Sequence, residues 1–278
     1  MKTILIPTED HDAMPAVLDA TRIVARTFDS YMEGFAVRPA VATYVTVEPV
    51  SSLAIAGAYE GDSRQANELF TGFMQKHAVP AAAEQGPATY SFGWPRTDAA
   101  EDSFIGSYGR VFDLIALGRP GPEAANPRMA PLEAALFESG RPVLVVPKAA
   151  AGVATIGRSI LISWNRSTQQ ARTNAFAMPL LHRAEKVTVL TVEGGPVQGP
   201  SGEEAARHLR RNGIKAEALT VKRGTRTPGE ITLEHAASLG CDLLVKSAYT
   251  QSRISQMIFG GATRHILTQA ALPILMAH

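Results

Sequence analysis

The sequence holds a single cysteine, Cys241, in 278 residues. One thiol excludes an intramolecular disulfide. With no C-x-x-C and no H-x-x-x-H spacing, a structural zinc centre has nothing to stand on either. Charge of one sign is also lacking. There are 27 Lys and Arg against 26 Asp and Glu, a net charge of +1. Nothing electrostatic therefore favours nucleic acid or an anionic membrane. No apolar run approaches the roughly 18 residues of a membrane span. The opening MKTILIPTED turns acidic straight after a short apolar run, which suits neither a signal peptide nor a span. A soluble, cytoplasmic protein is the expectation. There is no G-x-x-x-x-G-K-[ST] loop, which argues against a P-loop NTPase, and no G-x-S-x-G elbow. What is present is a hydrophobic fraction of 45% with 19% charged residues, enough for a packed core.

The chain is written twice. DLIALGRPG near residue 113 matches DLLVKSAYT near 242. RPVLVVP from Arg141 matches LPILMAH from Leu272, and TILIPTED from Thr3 matches SILISWNR from Ser159. The repeat is too long for a solenoid unit and reads as a tandem domain. The expected division is a first domain over 1–147, a linker KAAAGVATIGR over 148–158, and a second domain over 159–278. In the second half, short β-branched runs alternate with helical stretches. SILISW, KVTVLTV, KAEALTV, CDLLVK and PILMA read as strands. GEEAARHLRRNG reads as a helix ending at Gly213, and PGEITLEHAASLG as one starting at Pro228 and ending at Gly240. Pro179 is expected to kink or shorten the helix TQQARTNAFAMPLLHR. Such alternation implies α/β architecture: two Rossmann-like domains, each a doubly wound parallel sheet. The first half fits less cleanly, because 38–63 reads as a long irregular stretch before a helix resumes in GDSRQANELFTGFMQKHAV.

In open α/β sheets, ligands bind beyond the carboxyl ends of the strands at the topological switch point. That selects the loops after the first and fourth strands of each half. They hold Glu9-Asp10-His11-Asp12 and Gly118-Arg119-Pro120-Gly121 in the first half, and Trp164-Asn165-Arg166-Ser167 and Ser247-Ala248-Tyr249-Thr250 in the second.

The words DLLVKSAYTQSR, IFGGATRHIL and LPILMA resemble the closing segment of the universal stress protein family, and SILISWNRSTQQA resembles the opening of its tandem members. The resemblance implies an adenine nucleotide alpha hydrolase-like fold. It also implies an internal pseudo-dimer in which the last strands of the halves meet. The family's nucleotide loop runs Gly, two residues, Gly, nine residues, Gly, then a small or hydroxyl residue. Here that spacing falls on Ser247, Thr250, Gly260 and Gly261, with Ala262 following at a helix start. Glycines there let backbone N–H groups close on phosphate. Two of them are replaced, and Thr is a poor occupant of a positive-φ site. Gly260, Gly261 and Ala262 still offer N–H groups at a helix N-terminus. The adenine side maps, by resemblance, to Asn165 (Glu9 in the first half) and to Val192. Trp164 either stacks on a base or packs at its strand end. The first half keeps Gly118 and Gly121 but has Met129-Ala130 where the second has Gly260-Gly261, and Pro122, Pro127 and Pro131 remove N–H donors.

Glu9-Asp10-His11-Asp12 is dense in possible metal ligands. Its plainer reading is a solvated loop in which Asp12 caps the next helix. His182, His208 and His265, and the basic face of Arg207, Arg210 and Arg211, read as surface. No catalytic base or nucleophile and no metal site is identified. Two functions stand. One is a stress-response regulator that binds ATP or AMP (magnesium accompanying ATP) in the second half. The other is a scaffold, without a cofactor, that acts through dimerisation, as a homodimer or with another protein.

Overall fold

The computed structural model describes residues 1–39, 52–83, 86–248 and 261–278, with 52–62 described by backbone alone. The first half runs β1 (Thr3–Thr8), α1 (Met14–Phe28), β2 (Tyr31–Arg38), α2 (Ser52–Lys76), β3 (Ser91–Gly93), β4 (Ala100–Glu101), α3 (Asp102–Tyr108), β5 (Leu114–Gly118), α4 (Met129–Glu138) and β6 (Val143–Val146). The second runs β7 (Ser159–Ser163), α5 (Thr168–Leu181), β8 (Lys186–Val192), α6 (Gly202–Arg211), β9 (Ala216–Val221), α7 (Pro228–Ser238), β10 (Leu243–Val245), α8 (Gly261–Gln269) and β11 (Ile274–Met276).

The strands form one sheet in the order β3-β2-β1-β5-β6-β11-β10-β7-β8-β9, with β4 beside β2. Each half repeats the doubly wound order, and pairing within each half is parallel. At the centre β6 and β11 pair antiparallel, Leu144 opposite Leu275. The apolar closing strands of the two halves thus cover each other's edges, as the pseudo-dimer expectation held. A sheet covered on both faces needs apolar side chains on both. Ile4, Ile6, Ile160 and Ile162 pack beneath α1, α2, α5 and α6. Leu5, Ile115, Leu161 and Leu244 pack beneath α3, α4, α7 and α8.

The duplication shows in one repeated anchor. Asp113 precedes β5 and accepts backbone N–H bonds from Lys2 (2.5 Å) and Thr3 (3.2 Å). Asp242, which precedes β10, accepts them from Gly157 (3.0 Å), Arg158 (3.1 Å) and Ser159 (3.0 Å). In each half a carboxylate ahead of the fourth strand satisfies the first strand's opening donors.

Local chemistry explains the helix limits. Ser201 with Glu204, and Thr227 with Glu230, form capping boxes at α6 and α7. Gly213 (φ 77) and Gly240 (φ 62) follow the ends of these helices in the left-handed region. Pro179 lies inside α5, two residues before its last residue, Leu181. It sits too close to the end to break more than the final turn. The stretch 38–63 is not irregular throughout, because α2 begins at Ser52; residues 40–51 lie outside the described residues. Asp12 does not cap α1, whose N-cap is Ala13 without a side-chain bond. No described helix is long and apolar enough to cross a membrane.

Candidate functional site

A pocket of about 290 Å³ opens at the carboxyl ends of β7, β8 and β10, where the switch-point argument places a ligand. It brings together Trp164, Asn165, Val192, Gly261 and Ala262, all five expected from the sequence. Thr250 and Gly260 lie outside the described residues. Ser247 is fully buried and is not in the lining. Its N–H donates to Gln170 Oε1 at 2.8 Å, and Gln170 is itself fully buried.

Each wall has a local cause. Trp164 is 8% exposed and donates from Nε1 to the Pro200 carbonyl at 2.9 Å. Its ring packs at the strand end in the core beneath α5 and α6 and also lines the pocket. Asn165 Oδ1 accepts from Ser167 Oγ at 2.8 Å and from its N–H at 3.2 Å, while Ser167 caps α5. The oxygen is therefore occupied and the amide Nδ2 remains to donate. Gly229 lets α7 approach the start of α8: a Cβ there would meet the Ala262 carbonyl at 2.9 Å and His265 Cβ at 3.0 Å. A Cβ on Gly261 would meet nothing within 4 Å among the described residues.

The sequence reading missed the pocket's charge. Lys246, Arg166 and Arg223 line it, against one carboxylate, Glu193. Lys246 is 5% exposed. Its Nζ donates to the Ser247 carbonyl at 3.1 Å and lies 3.4 Å from the Ser247 hydroxyl. No carboxylate pairs with it among the described residues. Burial lowers its pKa from the ordinary 10.5 to about 8. Arg166 holds φ at 67°, an uncommon angle outside glycine, and its Nε is buried without a partner among the described residues. The signal for Lys246 was in the duplication. The matched words put Leu117 at its position in the first half, so a lysine there is not demanded by the fold.

The corresponding region of the first half is filled by the chain itself. Arg128 makes paired bonds to the Asp102 carboxylate at 2.7 Å each and bonds Glu9 Oε1 through Nε at 2.9 Å and also through Nη2. Burial, opposed by Arg128, raises the Glu9 pKa. Asp12 takes an N–H from Asn126 (3.2 Å) and pairs with Lys148 (3.3 Å), and Asp10 accepts from Gln65 at 2.6 Å. Gly118 is needed for packing within the chain, since a Cβ there would meet Pro127 at 2.5 Å and His11 at 2.8 Å. The acidic stretch thus binds protein cations and amides, and among the described residues no three metal-ligand side chains cluster. His182 and His208 are exposed, as are Arg207, Arg210 and Arg211, while His265 is half-buried.

The halves also touch beyond the sheet. Arg119, in the first half's loop after β5, donates to the Leu267 carbonyl at 2.8 Å and to that of Thr268. These carbonyls belong to the last turn of α8, whose first residues line the pocket.

Fold and pocket together define a tandem, Rossmann-like α/β protein with an open cationic pocket in its second half. Residues 166–278 match the universal stress protein family, so the second half is a universal stress protein domain, and the first half has the same fold. Among solved structures, a universal stress protein from Archaeoglobus fulgidus DSM 4304 overlays with a TM-score of 0.75 at 14% identity, covering 99% of this chain and 97% of that one. A functionally unknown protein from Pseudomonas aeruginosa PAO1 overlays at 0.55 and 12% identity, covering 100% and 92%. At these identities the shared property is the fold. No curated protein sequence matches the chain.

Proposed function

We propose that this chain is a universal stress protein-type regulator whose second half binds one adenine nucleotide, with the phosphate drawn to the cationic pocket. The observation that carries the reading is Lys246, a buried lysine without a carboxylate partner among the described residues, lining the same pocket as Arg166, Arg223 and the start of α8. A buried cation of this kind is costly unless an anion meets it, and a helix N-terminus adds to the attraction. Asn165 Nδ2 is the donor available to a base edge. The volume suits a nucleoside monophosphate, so AMP, or ATP with its outer phosphates beyond the rim and magnesium on them, fits the reading. With the first half filled by Arg128, the expected stoichiometry is one per chain. Nothing in this reading requires catalysis.

The test is calorimetric titration with AMP and with ATP, with and without magnesium, after assay for co-purified nucleotide. One equivalent of binding, weakened in Lys246→Met, supports the reading. No heat and no bound nucleotide would overturn it. A second reading has its own observation: the Ser247 N–H, which would be a phosphate donor in a glycine loop, is committed to Gln170. That favours a scaffold working through homodimers or a protein partner. Sedimentation and pull-down with a ligand-free protein would address it.

A further inference from the structure

Lys246 differs from an ordinary phosphate-binding lysine in one respect. A surface lysine offers a hydrated, permanently charged ammonium. Lys246 is desolvated at the end of β10, lines an open pocket rather than a sealed core, and among the described residues its Nζ hydrogen-bonds the carbonyl and hydroxyl of Ser247. Thr232 on α7 and Thr263 on α8 share the lining without adding charge. The charged groups around it are Arg166 after β7, Glu193 after β8 and Arg223 after β9, with His265 nearby on α8, packed against Gly229. Burial favours the neutral amine, the form that attacks carbonyl carbon. The pKa of about 8 agrees with that arrangement.

We propose that Lys246 captures phosphorylated aldehydes reversibly as imines, with the aldehyde carbon at its Nζ and the phosphate held by Arg166, Arg223 and the first turn of α8. The inference uses the pocket assigned above to a phosphate ester and rests on that assignment only for the phosphate half. In the step, the Nζ lone pair adds to the aldehyde carbon and the carbonyl oxygen takes a proton. The carbinolamine then loses water to give the C=N bond. No oxidant or reductant is involved, and hydrolysis returns both partners. The pocket would then hold either a nucleotide or an aldehyde phosphate, with the ammonium favouring the first and the free amine the second.

Borohydride trapping on the intact protein tests this, with pyridoxal phosphate and pyridoxal as probes and peptide mapping as readout. At limiting probe near pH 8, the expected result is pyridoxyl phosphate on Lys246 ahead of exposed lysines such as Lys148 and Lys186. An imine absorbance should appear that is absent in Lys246→Met. Pyridoxal phosphate should act at about tenfold lower concentration than pyridoxal, from the charge-assisted contacts to its phosphate. That advantage should shrink in Arg166→Ala. Labelling spread over exposed lysines with Lys246 unmodified would overturn the proposal, and this readout needs no variant to fold. Equal labelling of Lys246 by both probes would overturn the phosphate half and leave the reactive amine. Trapping should rise from pH 7 to 9 while nucleotide binding falls, so loss of one does not imply loss of the other.

Discussion

Replacing Lys246 by leucine, the residue at the matching position 117, should make the protein more stable. The unfolded chain holds this lysine at its ordinary pKa of 10.5, and the folded chain lowers it to about 8. A drop of that size corresponds to about 3 kcal/mol of penalty on the charged form. The sign follows from proton counting. Between about pH 8 and 10.5 the unfolded state binds more protons, so wild-type stability rises with pH across that window. Below pH 8 both states are protonated and the penalty is fully present. Leucine removes it and gains some apolar burial, while the contacts to Ser247 are lost at a cost of about 1 kcal/mol. Urea unfolding at pH 7 should therefore show Lys246→Leu more stable by about 2–3 kcal/mol, with the advantage shrinking toward pH 10. A variant less stable than wild type, or a difference constant across that range, would refute the reasoning. A residue that weakens the fold at neutral pH, in a place where the other half manages with leucine, is best explained by what it binds.

Arg128→Met should destabilise by about 3 kcal/mol in the same assay, because it leaves Glu9 and Asp102 largely buried without their shared cation. Acid should unfold the first half partly through Asp113: burial pushes its pKa up, but the N–H groups of Lys2 and Thr3 outweigh that and hold it below the ordinary value. Its contribution is thus present above about pH 4 and lost as pH falls through the lowered value, so Asp113→Asn should flatten the acid limb of a pH–stability curve. Gly229→Val should push α7 off α8 and weaken nucleotide binding more than Gly261→Ala, whose Cβ meets nothing within 4 Å among the described residues; calorimetry on both variants decides it. Arg119→Ala should lower nucleotide affinity severalfold without touching the pocket, because it uncaps α8, and a wild-type titration curve would count against that coupling.

The alternation of strands and helices was legible because each half repeats the same words, and because glycine and proline punctuate the helices where backbone geometry needs them. Gly213, Gly240 and Pro228 marked limits that the structure keeps within a residue or two. The stretch before α2 was harder. Its Gly57 and Gly61 lie within a helix whose start is not signalled by a cap or a strong apolar period. The position of the pocket was legible from topology, and five of the expected residues meet there. The charge of the pocket was not, because one lysine after CDLLV looks like the solvated end of a strand. Only the period of two, which puts Lys246 on the same face as buried Leu244, and the comparison with Leu117 distinguish it. Nor could the sequence show that Gln170 engages the Ser247 N–H, a contact between residues 77 apart in the chain.

Duplication gave the two halves room to diverge in opposite directions. The first retains glycines at 118 and 121 but uses them to pack Pro127, His11 and Asn126 against its own chain, and Arg128 satisfies its acidic loop from within. The second has serine at 247 and brings a lysine, an unusually folded Arg166 and the first turn of α8 around one cavity. Arg119 joins the halves, since the first half's loop after β5 holds the far end of the helix that lines the second half's pocket. The first half thus has a structural part in the second. It fixes α8 through two carbonyls and buries the edge strand of the second half, so separating the halves should cost the second both its edge and its pocket geometry.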